Sequence, residues 1–327
     1  MRNLRRAASR LAAALVAVSI LGGCGGARTS TLTITTTVAA PGTPTPPLPG
    51  TGRPAVTIGD KNLTEQFVLG ELYYEALRAQ GYTATLNRNI GPTEVTMQAL
   101  QAGTLSMYPE YLSSWDTAVA GYRRHFPSAL AAFHAGQSWA LNHGYELLNP
   151  TPFSDTPALA VNFNYGVQKG LSSIGDLVKV EPGLTLGGPP QFEHDPDGLP
   201  AITRAYGVVP AAFKPLGIGE QYQALDAGTV QAADVDTTDG PLITGNYTLL
   251  SDPLKVFGWG NVVPVVPLKV IEAEGPQFAA TINRVSALLT LTVIRQMNAA
   301  VAGGADPATV ALRFLVAHGL VPAGQQP

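Results

Sequence analysis

The chain has 327 residues, with 45% apolar and 13% charged side chains. That length suits one large domain or two ordinary ones, and that balance excludes a largely disordered protein. The single cysteine, Cys24, excludes internal disulfides and cysteine-built metal sites, and a formal net charge of −3 argues against nucleic acid as a partner. The charge is uneven: Met1 to Gly59 holds six Arg and no acidic residue, leaving 14 basic and 23 acidic side chains for the remainder.

Arg2, Arg5, Arg6 and Arg10 flank an apolar run of 11 residues, Leu11 to Leu21. A bilayer span needs about 20 residues, so this reads as the core of a signal peptide covering residues 1–23. The following Leu21-Gly22-Gly23-Cys24 resembles a bacterial lipobox, in which the Cys thiol receives a diacylglycerol and becomes the new N-terminus. Such a lipid anchor holds a protein on the outer face of the cell membrane. Arg5-Arg6 is followed by Ala-Ala-Ser, a poor fit to twin-arginine export, so the general secretory route is expected. Residues 24–53 are rich in Thr and Pro and read as an extended tether.

From about Pro54 the pattern is that of a folded protein. Ala55–Gly59 reads as a strand and its exit, and Thr64–Gln80 as an amphipathic helix with Thr64 as N-cap, stopped by Gly81. Tyr82–Leu86 is expected to be a strand, Thr93–Ala102 a helix and Leu105–Tyr108 a third strand. This alternation implies an α/β unit with a parallel sheet. Ligands of such sheets bind beyond the carboxyl ends of strands, which singles out Gly59-Asp60-Lys61-Asn62 and Tyr108-Pro109-Glu110-Tyr111. A second α/β set runs from about Ala158 to Gly258, and the chain closes with Val262–Val270, a helical stretch Gln277–Ala302 and another at Pro307–Ala317. Two α/β lobes imply a ligand cleft between them.

The segments IGDKNLTEQFVLGELYYEAL, GPTEVTMQALQAGTLSMYPEY, DPDGLPAI, QYQALDAGTVQAADVDTTDG and VVPVV stand in an order and spacing that resemble the substrate-binding proteins of osmoprotectant ABC importers. Those proteins take up glycine betaine, choline, carnitine or proline betaine. The resemblance spans about Val56 to Leu320. It implies the α/β fold of a type II periplasmic binding protein, each lobe a sheet flanked by helices. Lobe 1 is then expected at 54–156 and 262–327, and lobe 2 at 157–261. It further implies a small-molecule solute, an ABC permease with its ATPase, a monomeric protein and no catalytic residue, metal or cofactor.

In that family a box of tyrosines holds a trimethylammonium head through cation–π attraction, and Lys or Arg with a hydroxyl holds a carboxylate tail. Carried over position by position, the resemblance implies Lys61 beside Asn62, a box Tyr at Tyr111 and a hydroxyl at Ser114. The other box tyrosines are replaced by Pro157 (after Asp155-Thr156), Asp236 (before Thr237) and Gly260, which lies between Trp259 and Asn261. The family's Arg is replaced by Asp195. The implied ligand residues are therefore Lys61, Asn62, Tyr111, Ser114, Asp155, Thr156, Asp195, Asp236, Thr237, Trp259 and Asn261. With one box tyrosine left, fewer positive charges and more negative ones, the expected cargo is polar, neutral or cationic, held by hydrogen bonds.

His125, His134 and His143 recur every nine residues, so on one helix neighbours would face opposite sides and could not share a metal. No nucleophile elbow, P-loop or dinucleotide fingerprint is present in the sequence. Two other classes are carried: an anchored enzyme using Asp195, Asp236 and Glu110 as acid–base groups on a glycoside, and a binding protein turned sensor or co-receptor.

Overall fold

The computed structural model describes residues 46–217 and 219–324. The signal peptide, Cys24 and most of the tether lie outside them. In chain order the strands are β1 (Val56–Gly59), β2 (Ala84–Asn87), β3 (Tyr108–Tyr111), β4 (Tyr145–Leu147), β5 (Pro157–Asn162), β6 (Thr185–Gly188), β7 (Ala212–Pro215), β8 (Ala232–Asp236), β9 (Tyr247–Leu249) and β10 (Val262–Pro267).

β1 pairs with β2 in parallel, and an Ile58–Met107 bridge joins β1 to the approach of β3. β10 then lies antiparallel between β3 and β4. The second sheet has the order β7-β6-β8-β5-β9, with β6 parallel to its neighbours and β5 antiparallel to β8 and β9. The parallel arrangement expected from the sequence holds for β1 with β2 and for the bridge from β1 to Met107, whereas β10 and β5 add antiparallel pairings. The reason is the path of the chain. Each crossing delivers it to the carboxyl end of the other sheet, so the arriving strand runs backwards. Val262 at the start of β10 pairs with Tyr111 at the end of β3, and Pro157 at the start of β5 pairs with Asp236 at the end of β8.

Each sheet has its own core. In the first lobe Leu69, Leu72, Tyr73 and Leu77 of the helix Thr64–Ala79 pack on Phe278, Ile282 and Leu315. A second cluster gathers Trp115, Leu112 and Val265 under the helix Ala129–Asn142. In the second lobe Leu186, Ile202 and Leu177 cover one face of the sheet, and Leu225, Val230 and Leu242 the other. Burial of this apolar surface is the main force holding each lobe.

Three local expectations are revised. Leu63, not Thr64, occupies the N-cap position, without a side-chain cap. The third strand lies at Tyr108–Tyr111 rather than Leu105–Tyr108, because β10 supplies its hydrogen-bonding partner there. The stretch Gln277–Ala302 is two helices, Pro276–Ser286 and Leu291–Ala302, at 83° to each other. Thr290 starts the second by accepting a hydrogen bond from the Val293 N–H at 3.3 Å.

The two crossing segments pair with each other. Asp155 N–H donates to Gly260 O at 2.9 Å, and Gly260 N–H to Ser154 Oγ at 2.9 Å. Asn261 Nδ2 donates to Thr151 O and Phe153 O at 2.9 and 3.1 Å. A Cβ on Gly260 would lie 1.5 Å from Asp155 O, so this position admits only glycine.

Candidate ligand-binding site

Strand ends and the crossings bring a set of polar side chains together. Glu65 opens the helix after β1 and is 6% exposed. Its Oε1 accepts from Tyr111 OH at 3.1 Å and its Oε2 from Asn298 Nδ2 at 2.9 Å. Asn298 belongs to the helix Leu291–Ala302 and also donates to Thr238 O of the second lobe at 3.1 Å. Arg295 Nε, one turn earlier, donates to Thr237 O at 2.8 Å.

The carboxyls here have few counter-charges. Burial pushes Glu65 up to about 7, opposed by the hydrogen bonds of Asn298, Thr238 and Tyr111, with Asp236 adding repulsion. Burial and then the Glu65 charge hold Asp155 well above the ordinary carboxylate range. Asp234 is pushed up to about 8 by burial and then by Asp236 and Asp239; Asp236 is raised as well, by the atoms crowding the cleft and then by Asp155 and Asp239, although its side chain keeps its access to solvent. Burial also raises Asp239, although Tyr222 OH donates to it at 2.9 Å. Asp155 Oδ1, Asp234 Oδ1, Asn261 Oδ1 and Asn298 Oδ1 are buried without a hydrogen-bond partner. Desolvated acceptors of this kind favour a cation carrying N–H donors.

Beside this cluster is a cavity of about 460 Å³. Ser113, Ser114, Asp116 and residues 122–126 line it from the first lobe, and Pro157, Asp197 and residues 255–259 from the second. Pro157 is the cross-strand partner of Asp236, so the two side chains share a face of the sheet. The aromatic walls already carry cations of the chain itself. Lys255 Nζ lies 5.0 Å from the Trp259 ring centre, and the Arg124 guanidinium 4.9 Å from Phe126 and 5.4 Å from Tyr122. Trp259 Nε1 donates to Phe126 O at 3.0 Å, which fixes its ring.

The residues implied by the resemblance therefore separate into groups. Ser114 and Trp259 line the cavity, and Asp236 is exposed and paired across the strands with Pro157, which lines it. Asp155, Thr156 and Asn261 belong to the paired crossings, and Thr237 ties to them: its hydroxyl donates to Ser154 O at 2.8 Å and accepts from Thr156 N–H at 3.0 Å. Asn62 is exposed. Lys61 is turned into the protein. Its Nζ is held at 2.7 Å from Glu110 Oε1 and 2.9 Å from Thr93 Oγ1, and it is 5% exposed. It also lies 5.0 Å from the centre of the Tyr111 ring, so one face of the surviving box tyrosine is taken. Asp195 is exposed and accepts from Asp197 N–H at 2.9 Å in a turn, while Asp197 lines the cavity. Glu110 is fully buried and bonded to Lys61, Tyr108 and its own neighbour's N–H, so it cannot serve acid–base chemistry in the cleft.

Glu65, Asn298, Asp239 and Asp116 were not among the residues expected at the site. The signal for Glu65 was available, since it adjoins Gln66 in the TEQ segment that opens the helix. Asn298 is 233 residues from Glu65 and carried none. Of the three histidines, His143 stacks on Trp139 at 3.7 Å between ring centres, and no group of three or more potential metal ligands occurs among the described residues.

The chain is 30% identical to the glycine-betaine-binding protein of Pseudomonas aeruginosa over 280 residues, which covers 82% of this chain and 89% of that one. It is 29% identical to the glycine betaine-binding protein YehZ of Escherichia coli, covering 81% and 90%. Among solved structures, a glycine betaine/carnitine/choline ABC transporter protein superposes with a TM-score of 0.75 at 22% identity, covering 81% of this chain and 99% of that one. Apo YehZ superposes with a TM-score of 0.69 at 26% identity, covering 82% and 99%. The two-lobed α/β fold of periplasmic binding proteins is common to them. The family described as the substrate binding domain of ABC-type glycine betaine transport systems matches residues 54–317, and this chain belongs to that family.

Proposed function

We propose that this chain is a lipid-anchored, extracytoplasmic solute-binding protein that delivers a small polar solute to an ABC permease and its ATPase. Cys24 carries the lipid, residues 24–53 are the tether, and the protein works as a monomer. Lobe 1 comprises 54–156 and 262–327 and lobe 2 comprises 157–261, with the solute taken up between them. Binding and release require no bond making, in keeping with the family and with the sealed position of Glu110.

The relatives' names set glycine betaine and carnitine as the reference cargoes. We infer that the cargo here is instead a solute bearing N–H donors on a cationic group. The observation that carries this reading is the gathering of Glu65, Asp155, Asp234, Asp236 and Asp239 with buried acceptors left unpaired. A quaternary ammonium has no N–H for those oxygens. It would also compete with Lys61, Lys255 and Arg124 for the aromatic faces they occupy.

A thermal-shift panel on the mature chain tests this. It contains glycine betaine, choline, carnitine, proline betaine, polyamines, amino acids and sugars. A solute at 100 times its Kd stabilises by about 2.7 kcal/mol, a rise of roughly 5 °C or more at this size. A shift by amines or guanidines alone supports the changed cargo. A shift by betaine or choline alone refutes it and leaves the transport role standing.

A further inference from the structure

We propose that Asp116 is the residue inside the cavity that selects an N–H-bearing cation over its fully methylated counterpart. This rests on the cargo reading above and assigns it to a residue outside the carboxylate cluster.

Asp116 sits in a π-helical turn, Trp115–Val119, that follows β3 and the short turn Leu112–Ser114. Such turns are rare and frequently mark functional sites. Asp116 lines the cavity but is only 4% exposed, and its Oδ1 has no hydrogen-bond partner. That oxygen lies against Gly136 of the helix Ala129–Asn142, where a Cβ would come within 2.7 Å of it. The glycine thus makes room for a carboxylate that bonds to nothing on that side.

A purely structural role does not account for this carboxylate. The turn is held by other groups: Trp115 Nε1 donates to Gly136 O at 3.3 Å, Tyr122 N–H to Asp116 O at 2.8 Å, and Tyr122 OH to Ala135 O at 3.2 Å. None of these involves the Asp116 side chain. The charged groups around the cavity are Arg123, Arg124, His125, Asp197 and Lys255. Arg124 is the cation that acts on Asp116 electrostatically, yet its guanidinium packs over Phe126 and Tyr122, and no ion pair joins it to Asp116 among the described residues. Burial raises the Asp116 carboxyl to about 7, with Arg124 opposing. A ligand N–H placed in the cavity meets the edge of this carboxylate that faces away from Gly136, and the apolar body of the same ligand meets Phe126 and Trp259. A trimethylated nitrogen would bury the carboxylate further and return no hydrogen bond.

The test is calorimetric titration of the mature chain with two matched pairs, ethanolamine against choline and glycine against glycine betaine. It is run on wild type, Asp116→Asn and Asp236→Asn, with Asp116→Ser held in reserve should the first variant not fold. The expected result is a wild-type preference of at least tenfold for an N–H-bearing member. Asp116→Asn should abolish that preference and, because it removes a carboxyl raised by burial, should leave the ligand-free Tm at or above the wild-type value. A variant that keeps the wild-type preference overturns the assignment. If Asp236→Asn alone removes the preference, Asp116 loses its role and the cargo reading stands. If the methylated members bind wild type as well as or better than the others, or if none of the four binds, the assignment of Asp116 falls.

Discussion

Replacing Glu65 by Gln tests whether the carboxylate cluster is under repulsive load without its ligand. The Glu65 carboxyl moves from its ordinary 4.5 to about 7 on folding, chiefly through burial. A carboxyl whose pKa rises on folding favours the folded state below the unfolded value, and that advantage is lost as pH climbs from about 4.5 to about 7. At about 1.4 kcal/mol per pKa unit, the ionised group costs the unliganded protein on the order of 3 kcal/mol at pH 8. Gln keeps an acceptor for Tyr111 OH, whereas its amide would face the Asn298 Nδ2 donor. Asn298 can turn its unpaired Oδ1 toward that amide, at the expense of its bond to Thr238 O, a loss of about 1 kcal/mol. The net expectation at pH 8 is stabilisation by about 2 kcal/mol, or roughly 4–8 °C in Tm. At pH 4 the same variant should be neutral or slightly destabilised. Differential scanning calorimetry of the ligand-free protein at both pH values measures this. A Glu65→Gln protein that is less stable than wild type at pH 8, or equally shifted at both pH values, would refute the reasoning.

The buried Lys61–Glu110 pair makes a second prediction. Lys61→Met removes the counter-charge of buried Glu110 and should cost about 3–5 kcal/mol in urea unfolding, and adding Glu110→Gln should recover most of the loss. Gly260→Ala puts a Cβ against Asp155 O, so it should cost roughly 3 kcal/mol and weaken solute binding, read by calorimetry and titration. Cys24→Ala should move the protein from the membrane fraction to the soluble one and abolish palmitate labelling. Retention of label in that variant would refute lipidation at Cys24.

The elements that follow from local pattern were legible in the sequence. The apolar spacing of Val68, Leu69, Leu72 and Leu77 reflects a helix face that does pack on the core, and the Gly after it does end the helix. The break at Leu288–Thr290 was not legible, because both flanking segments are apolar at helical spacing and only the cap on Thr290 marks the second start. Charge identity was legible and charge availability was not. Lys61 stands after β1 as the family pattern implies, yet which lysine is neutralised depends on Glu110, brought alongside from 49 residues away. The loss of a tyrosine at Gly260 reads from sequence as an emptier box. In the fold it is a close crossing of two backbones, where no side chain fits. The positive charge lost with the family's Arg is a similar case, since Arg123, Arg124 and Lys255 bring charge to the cavity from loops that carried no family signal.

On the cargo proposed above, the placement of the carboxyls would tie recognition to contact between the lobes. Glu65 and Asn298 come from the first lobe, Thr238 and Asp236 from the second, and Asp155 from a crossing anchored to Gly260. Asn298 and Arg295 reach Thr238 O and Thr237 O, so the lobes touch where the acids gather. Repulsion between Glu65 and Asp236 therefore opposes this contact, and a cation seated among them relieves it. A ligand shifts such an equilibrium only by its differential affinity for the two arrangements. For a cationic cargo that difference is the charge compensation itself. A neutral solute of the same size would fill the space and leave the repulsion in place. Selectivity for charge is then set less by any single contact than by whether the lobes can afford to meet.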